Sequence, residues 1–385
     1  MKRLLKSESL AIGLAMFSMF FGAGNIIFPL ALGQYAGDKN FFAISGLILT
    51  AALIPIAGVI AMILFQGDYQ KFFGRLGKVP GFCLALIIIS LLGPLGSTPR
   101  CIALAYTTLK SSFLGLSPVI FSAIACSLIL LFTLRKNHIL NLLGYVLTPL
   151  LLLSLLVIMI MGLMAPSNIQ SITETNTAVF LEGLKEGYNT MDLLAAFFFS
   201  STILNLLKVK AVAAGVVSEQ RVVQIAFKAS FIGAAMLALV YIGFSYLAAF
   251  HGAHLGSLGK DELLSAIAMK IAGPYAGVLV CTTIALACLT TAIALICSFT
   301  DFMDKQVFKG KIRYELILAG SLFVTFMISI LKFTSISAFL SPILQICYPG
   351  LIVLTFLNIA YHLKNFKPVK LPVFFAFTVA VVFNF

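Results

Sequence analysis

Phe20-Phe21-Gly22-Ala23-Gly24-Asn25-Ile26-Ile27-Phe28-Pro29 sets two glycines, an asparagine and a proline within eight residues, inside an otherwise apolar run from 10 to 36. A run of that length crosses a bilayer, which takes about 20 apolar residues. Glycine and proline weaken a helix, here at a depth where water cannot rescue the freed backbone groups. Such a break is tolerated only where it is buried in protein or lines a cavity. It leaves the N-terminus of one half-helix to meet a carboxylate, and freed carbonyls to meet a cation or an ammonium group. Close helix packing through small residues is the plainer alternative. Asn25 favours the functional one, because packing needs no polar side chain.

The rest of the chain agrees with a membrane setting. Of 385 residues, 61% are hydrophobic and 10% charged, with a mean hydropathy of +1.09; soluble domains carry about 25% charged residues. This excludes a soluble enzyme, a disordered scaffold and a disulfide-stapled secreted domain. Apolar runs fall near 10–36, 41–65, 81–109, 118–134, 139–164, 192–207, 229–250, 271–300, 315–331, 334–363 and 371–385, which predicts eleven spans. The opening MKRLLK and the apolar stretch after it resemble a signal peptide, but the run continues to Leu32 and is long enough to span. The seven cysteines lie within apolar runs without a C-x-x-C pair and read as small hydrophobes.

A cytoplasmic N-terminus would leave nineteen Lys and Arg on the inner side. Six would lie outside (Lys39, Lys110, Lys185, Lys260, Lys270 and Lys332), with Arg100 inside a span. That is the positive-inside pattern, so the net charge of +13 is topological and needs no nucleic acid. The polar stretch 165–189, with Glu174, Glu182 and Glu186, is expected to be an external loop. It separates five spans in 1–164 from five in 190–363, leaving 364–385 as a partial eleventh. Five is odd, so the halves lie in opposite orientations, the arithmetic of an inverted repeat with a binding site at the midplane.

Span 6 opens the second half and is expected to break where span 1 does. Residues Asp192 to Asn205 contain no Gly or Pro. Ser200, Ser201 and Thr202 are placed to satisfy freed backbone groups, and Phe197, Phe198 and Phe199 to wall an apolar pocket. In span 8, the paired hydroxyls of Thr290 and Thr291 suit a hard cation that wants oxygen ligands, or each bonds back to its own helix. Arg100 follows the Gly93-Pro94-Leu95-Gly96-Ser97-Thr98-Pro99 irregularity. It is either functional or snorkels to the surface. With Asp192 it forms a candidate outer gate pair, although an acid in a first helical turn also serves the helix dipole. His251 and His254 form an H-x-x-H pair without a third ligand. No nucleophile set, P-loop or dinucleotide fingerprint is present, so no enzymatic activity and no cofactor are expected. The scarcity of Glu in the spans argues against a carboxylate proton relay.

FFGAGNIIFP after a short basic N-terminus, GPLGSTPR in span 3, GYNTMDLLAA entering span 6 and CLTTAIALI in span 8 resemble the bacterial branched-chain amino acid carrier (BrnQ, LIVCS) family. The similarity runs in order from residue 8 to about 365. It implies an all-α polytopic fold of the LeuT type, with a ten-helix inverted-repeat core. It also implies sodium-coupled symport of Leu, Ile and Val across the bacterial cytoplasmic membrane, the N-terminus inside. The carbonyls of Ser18, Phe21 and Ala287 with the hydroxyls of Thr290 and Thr291 would then hold sodium. Gly22, Ala23, Gly24 and Asn25, facing Phe198, Phe199, Ser200 and Ser201, would hold the substrate.

Two departures stand out. Relatives usually have twelve spans, so the short segment 371–385 suggests a truncated end. The arginine that distant sodium-coupled relatives place after the span 1 break is replaced by Ile26, Ile27 and Phe28. Proton coupling, another neutral solute, or sensing without transport are the alternatives.

Overall fold

The computed structural model describes residues 2–110, 115–134, 148–164, 169–213, 219–252 and 258–384. His254, His138, Arg135 and Lys136 lie outside them, as does the stretch 139–147 at the start of the fifth expected span. The described elements are helices. Span 1 is α1 (Lys2–Phe20) and α2 (Ala23–Ala36); span 2 is α3 (Asn40–Ile48) and α4 (Ile54–Leu64). A short α5 (Tyr69–Gly74) leads into span 3, made of α6 (Lys78–Leu92) and α7 (Ser97–Lys110). Spans 4 and 5 are α8 (Pro118–Leu134) and α9 (Thr148–Met164). Next come α10 (Asn176–Asn189), α11 (Asp192–Ala213) and α12 (Glu219–His251). The chain continues with α13 (Leu263–Phe302), α14 (Tyr314–Ser329), α15 (Phe333–Lys364) and α16 (Lys370–Asn384). Each of the eleven expected apolar segments overlaps one or more of these helices.

The stretch expected as a loop, 165–189, is a correction. From Asn176 to Asn189 it is helical, with the Thr175 hydroxyl accepting from the Ala178 amide at its N-cap. It packs along α3 and the turn that follows it, where a Cβ at Gly183 would collide with Ala43 and one at Gly187 with Thr50. Small residues four apart on one helix face allow that approach. The helix α10 is therefore the first half of span 6, and α11 the second. Between α3 and α4, residues Leu49–Leu53 form a π-helical turn, and the Thr50 hydroxyl donates to the Leu184 carbonyl of α10 at 3.1 Å. The long α13 is bent at Gly273, whose φ of +74° is a conformation open to glycine at no steric cost.

The packing has a two-fold logic. Span 1 runs along span 7, and span 6 along span 2; spans 5 and 8 touch, as do 10 and 3; so do 3 and 9, and 8 and 4. Spans 3 and 8 pack together, as do 4 and 9. Exchanging the first five spans for the second five maps each of these pairs onto another or onto itself. That is what an inverted repeat requires, although the two halves share no visible sequence similarity.

Arg75 ties α5 to the far end of the chain. Its guanidinium donates to the carbonyls of Leu357, Phe366 and Lys367 and to Asn358 Oδ1. It also lies 4.1 Å from the Tyr361 ring centre. Hydrogen bonds from a charged donor contribute roughly 1.5–3 kcal/mol when buried and less when partly exposed, as here. Arg75→Ala is expected to cost about 2 kcal/mol and to lower the detergent melting temperature by several degrees, read by circular dichroism.

Candidate functional site

The helix of span 1 stops at Phe21 and restarts at Ala23. Phe21 N still donates to Phe17 O at 2.8 Å, whereas Gly22 is extended (φ −118°, ψ −167°). Asn25 then caps the second half-helix from within, its Oδ1 accepting from Gly22 N at 2.9 Å. That satisfies one of the donors a helix start leaves unpaired. The Asn25 amide nitrogen points the other way, donating to both carboxylate oxygens of Asp192 at 2.8 Å and meeting the Tyr241 hydroxyl. Tyr241 donates to Asp192 Oδ2 at 2.6 Å. All three side chains are buried, Asp192 with 1% exposure.

The second break lies at Thr190–Met191, earlier than Ser200–Ser201. Met191 has φ +65°, an uncommon conformation for a residue with a side chain, and it is held by distant groups. Its sulfur contacts Ser97 Oγ at 3.2 Å and Arg100 Nη1 at 3.4 Å. Arg100 Nη2 donates to Asn189 O at 2.8 Å, meeting a carbonyl that the end of α10 leaves open. Arg100 is 2% exposed and lies 4.8 and 5.2 Å from the rings of Phe28 and Phe333, so it does not snorkel. Behind it, Asn189 Nδ2 donates to Glu186, which pairs with Lys260 at 2.8 Å.

The two breaks face each other across a small cavity. Of the residues expected to hold the substrate, Gly22, Ala23, Gly24, Asn25 and Phe199 line it. So do Thr190, Met191, Asp192, Ser97, Arg100 and Cys101, most of which the sequence did not single out. Gly24 sits where the halves touch: a Cβ there would be 3.2 Å from Thr190 O and 3.3 Å from Arg100 Nη2. Three expected substrate contacts lie elsewhere. Phe198 turns into an aromatic cluster with Tyr69, Phe73 and Phe302. The Ser200 hydroxyl bonds back to the Ala196 carbonyl, and Ser201 packs against Gly67. Arg100 and Asp192 share the cavity, but no ion pair joins them. Asp192 is engaged by Asn25 and Tyr241, and Arg100 by Asn189 and Met191.

The expected cation ligands divide. Thr291 Oγ1 donates to Phe21 O at 2.9 Å, which brings span 8 onto the freed carbonyls of span 1. Thr290 Oγ1 instead bonds the Ala287 carbonyl of its own helix at 2.8 Å. Ser18 is half-buried one turn before Phe21. His251 binds the Gly162 carbonyl through Nε2 at 2.9 Å, a packing role.

The fold has known counterparts. A structure titled as the substrate-bound outward-open state of a Na+-coupled sialic acid symporter matches with a TM-score of 0.60 at 11% identity. The match covers 97% of this chain and 88% of that one. The inward-facing conformation of Mhp1 matches with a TM-score of 0.63 at 13% identity, over 94% and 78%. At such identities the likeness is one of fold, that of the LeuT-type transporters. In sequence, the branched-chain amino acid permease BraB of Bacillus subtilis (strain 168) is 30% identical over 360 residues, 91% of this chain and 79% of the permease. The permease BrnQ of the same strain is 30% identical over 377 residues, 94% and 84%. A family model described as branched-chain amino acid transport protein matches residues 5–385. With two broken helices meeting at a buried cavity, this multi-pass membrane protein belongs to the branched-chain amino acid transport protein family.

Proposed function

We propose that the protein carries Leu, Ile and Val into the bacterial cytoplasm by sodium-coupled symport, with its N-terminus in the cytoplasm. The observation that carries this reading is the pair of helix breaks meeting at one buried cavity. A substrate bound there is enclosed by residues from both halves, so rocking one half against the other opens it to alternate sides. Sodium would sit among the carbonyls of Ser18, Phe21 and Ala287 and the hydroxyls of Thr290 and Thr291. The Thr291–Phe21 contact supports the site, and rotation of the Thr290 hydroxyl away from Ala287 would complete it. Driving an ion inward contributes about 2.3 kcal/mol per 100 mV of membrane potential. Proton coupling is the second reading, and the buried Asp192 carboxylate favours it.

Leucine uptake into proteoliposomes, with sodium replaced by choline on one arm, separates these. Sodium-dependent uptake is expected to fall at least tenfold in Thr291→Ala, and less in Thr290→Ala, because only Thr291 reaches the span 1 carbonyls. Uptake that ignores sodium and follows an imposed pH gradient would replace sodium with the proton. Leucine binding without uptake or counterflow would indicate a sensor.

A further inference from the structure

We propose that Arg100 and Asp192 form a split clamp for an α-amino acid zwitterion, the guanidinium taking the substrate carboxylate and the aspartate taking its ammonium. The inference rests on the amino acid transport reading and names the groups that recognise the backbone part of the substrate. Both side chains line the cavity between the breaks and both are almost wholly buried, at 2% and 1% exposure. Isolated charges at membrane depth are costly, yet these opposite charges are not paired with each other. Asp192 accepts from two neutral donors, Asn25 and Tyr241. Among the described residues no cation lies within ion-pair distance of it.

Arg100 offers five N–H donors in a fork that suits a carboxylate. Among the described residues its hydrogen-bond acceptors are one carbonyl and one thioether, a weak acceptor, and its face lies near the rings of Phe28 and Phe333. Capping α10 accounts for Nη2 and leaves the rest of the fork under-used. A zwitterion lying across the cavity completes both sites at once and brings no net charge into a low-dielectric space, where opposite charges attract strongly. Asn25 and Tyr241 become positioning residues that hold the Asp192 carboxylate. The side chain of the substrate is left to the apolar wall of Phe20, Ala195, Phe199 and Leu295.

The test removes one charge from each partner in turn. Dissociation constants for L-leucine, 3-methylbutylamine (leucine without its carboxylate) and 4-methylpentanoate (leucine without its amine) are measured on the purified full chain in sodium buffer. In the wild type, each truncated ligand is expected to bind at least tenfold more weakly than leucine. Arg100→Gln is expected to weaken leucine and 4-methylpentanoate about 100-fold while changing 3-methylbutylamine less than threefold. Asp192→Asn should do the reverse, sparing 4-methylpentanoate. Arg100→Lys, which keeps the charge but loses the fork, should fall between wild type and Arg100→Gln for leucine.

Equal losses for all three ligands in Arg100→Gln would make Arg100 a purely structural cap and overturn the clamp. Should a variant fail to fold, the wild type still decides: 3-methylbutylamine or 4-methylpentanoate binding as tightly as leucine overturns it. A wild type that binds none of the three is a separate result, and defeats the amino acid transport reading itself.

Discussion

Asn25→Ala is expected to reduce leucine uptake to below about 1% of wild type and to lower the melting temperature in detergent. One amide holds both sides of the cavity together. Its oxygen accepts from Gly22 N and its nitrogen donates to both oxygens of Asp192. Alanine leaves a buried backbone donor without an acceptor and a buried carboxylate short of a donor. Each loss costs about 1–3 kcal/mol, more where the group is charged. A misplacement costing 2.8 kcal/mol at the binding step is already about 100-fold. Asn25→Asp separates the two functions: the cap oxygen remains, while a second carboxylate is set against Asp192. Its uptake should be equally low with a smaller loss of thermal stability. Uptake above half of wild type in Asn25→Ala would show that the amide does not organise the site.

Gly33→Ala is expected to have the largest effect on folding. A Cβ at Gly33 would fall on the Ser245 carbonyl oxygen and lie 2.8 Å from Ser245 Cα. These are backbone atoms of α12, so the clash is relieved only by moving α2 away from that helix. The shift would also disturb the bond from Ser245 Oγ to Asn40 Oδ1 at 2.6 Å. Overpacking typically costs about 1–3 kcal/mol, and more when backbone must move. Close contact through small residues is what associates helices in lipid. Little monodisperse protein should elute on size exclusion. Gly243→Ala is the control, because its new Cβ meets the flexible end of Met159 and methionine repacks readily. Equal behaviour of the two variants would refute the proposed α2–α12 contact.

The spans were legible because lipid forces long apolar runs onto the sequence, and the span 1 break because Gly22, Gly24 and Pro29 announce it locally. The span 6 break carries no such mark. Thr190-Met191 is bent by groups from span 3, Ser97 and Arg100, some 90 residues earlier in the chain, and a contact of that range leaves no local pattern. Placing the break about ten residues late drew in Phe198, Ser200 and Ser201, which turn away from the cavity, and left Asp192 at the rim. A usable signal was present in the supposed loop: Gly183 and Gly187 stand four apart, the spacing of a closely packed helix. The partnership of Asn25 with Asp192 spans 167 positions and became visible only once the half-helices were brought together. The Thr pair had two physical readings, and geometry gives one to each residue in this conformation, Thr291 reaching span 1 and Thr290 its own helix.

The π turn at Leu49–Leu53 gives span 2 one residue more than an uninterrupted helix would place along the same path. Its counterpart span 7 is a continuous α-helix from Glu219 to His251, so aligning the halves needs a one-residue gap there. Deleting a residue from that turn would regularise the helix and rotate α3 by about 100° against α4. Gly46 and Thr50 would then leave the face that receives α10. In this part of the molecule, single-residue insertion and deletion, rather than substitution, is the mutational step that resets the angle at which the first half of span 6 lies over the cavity.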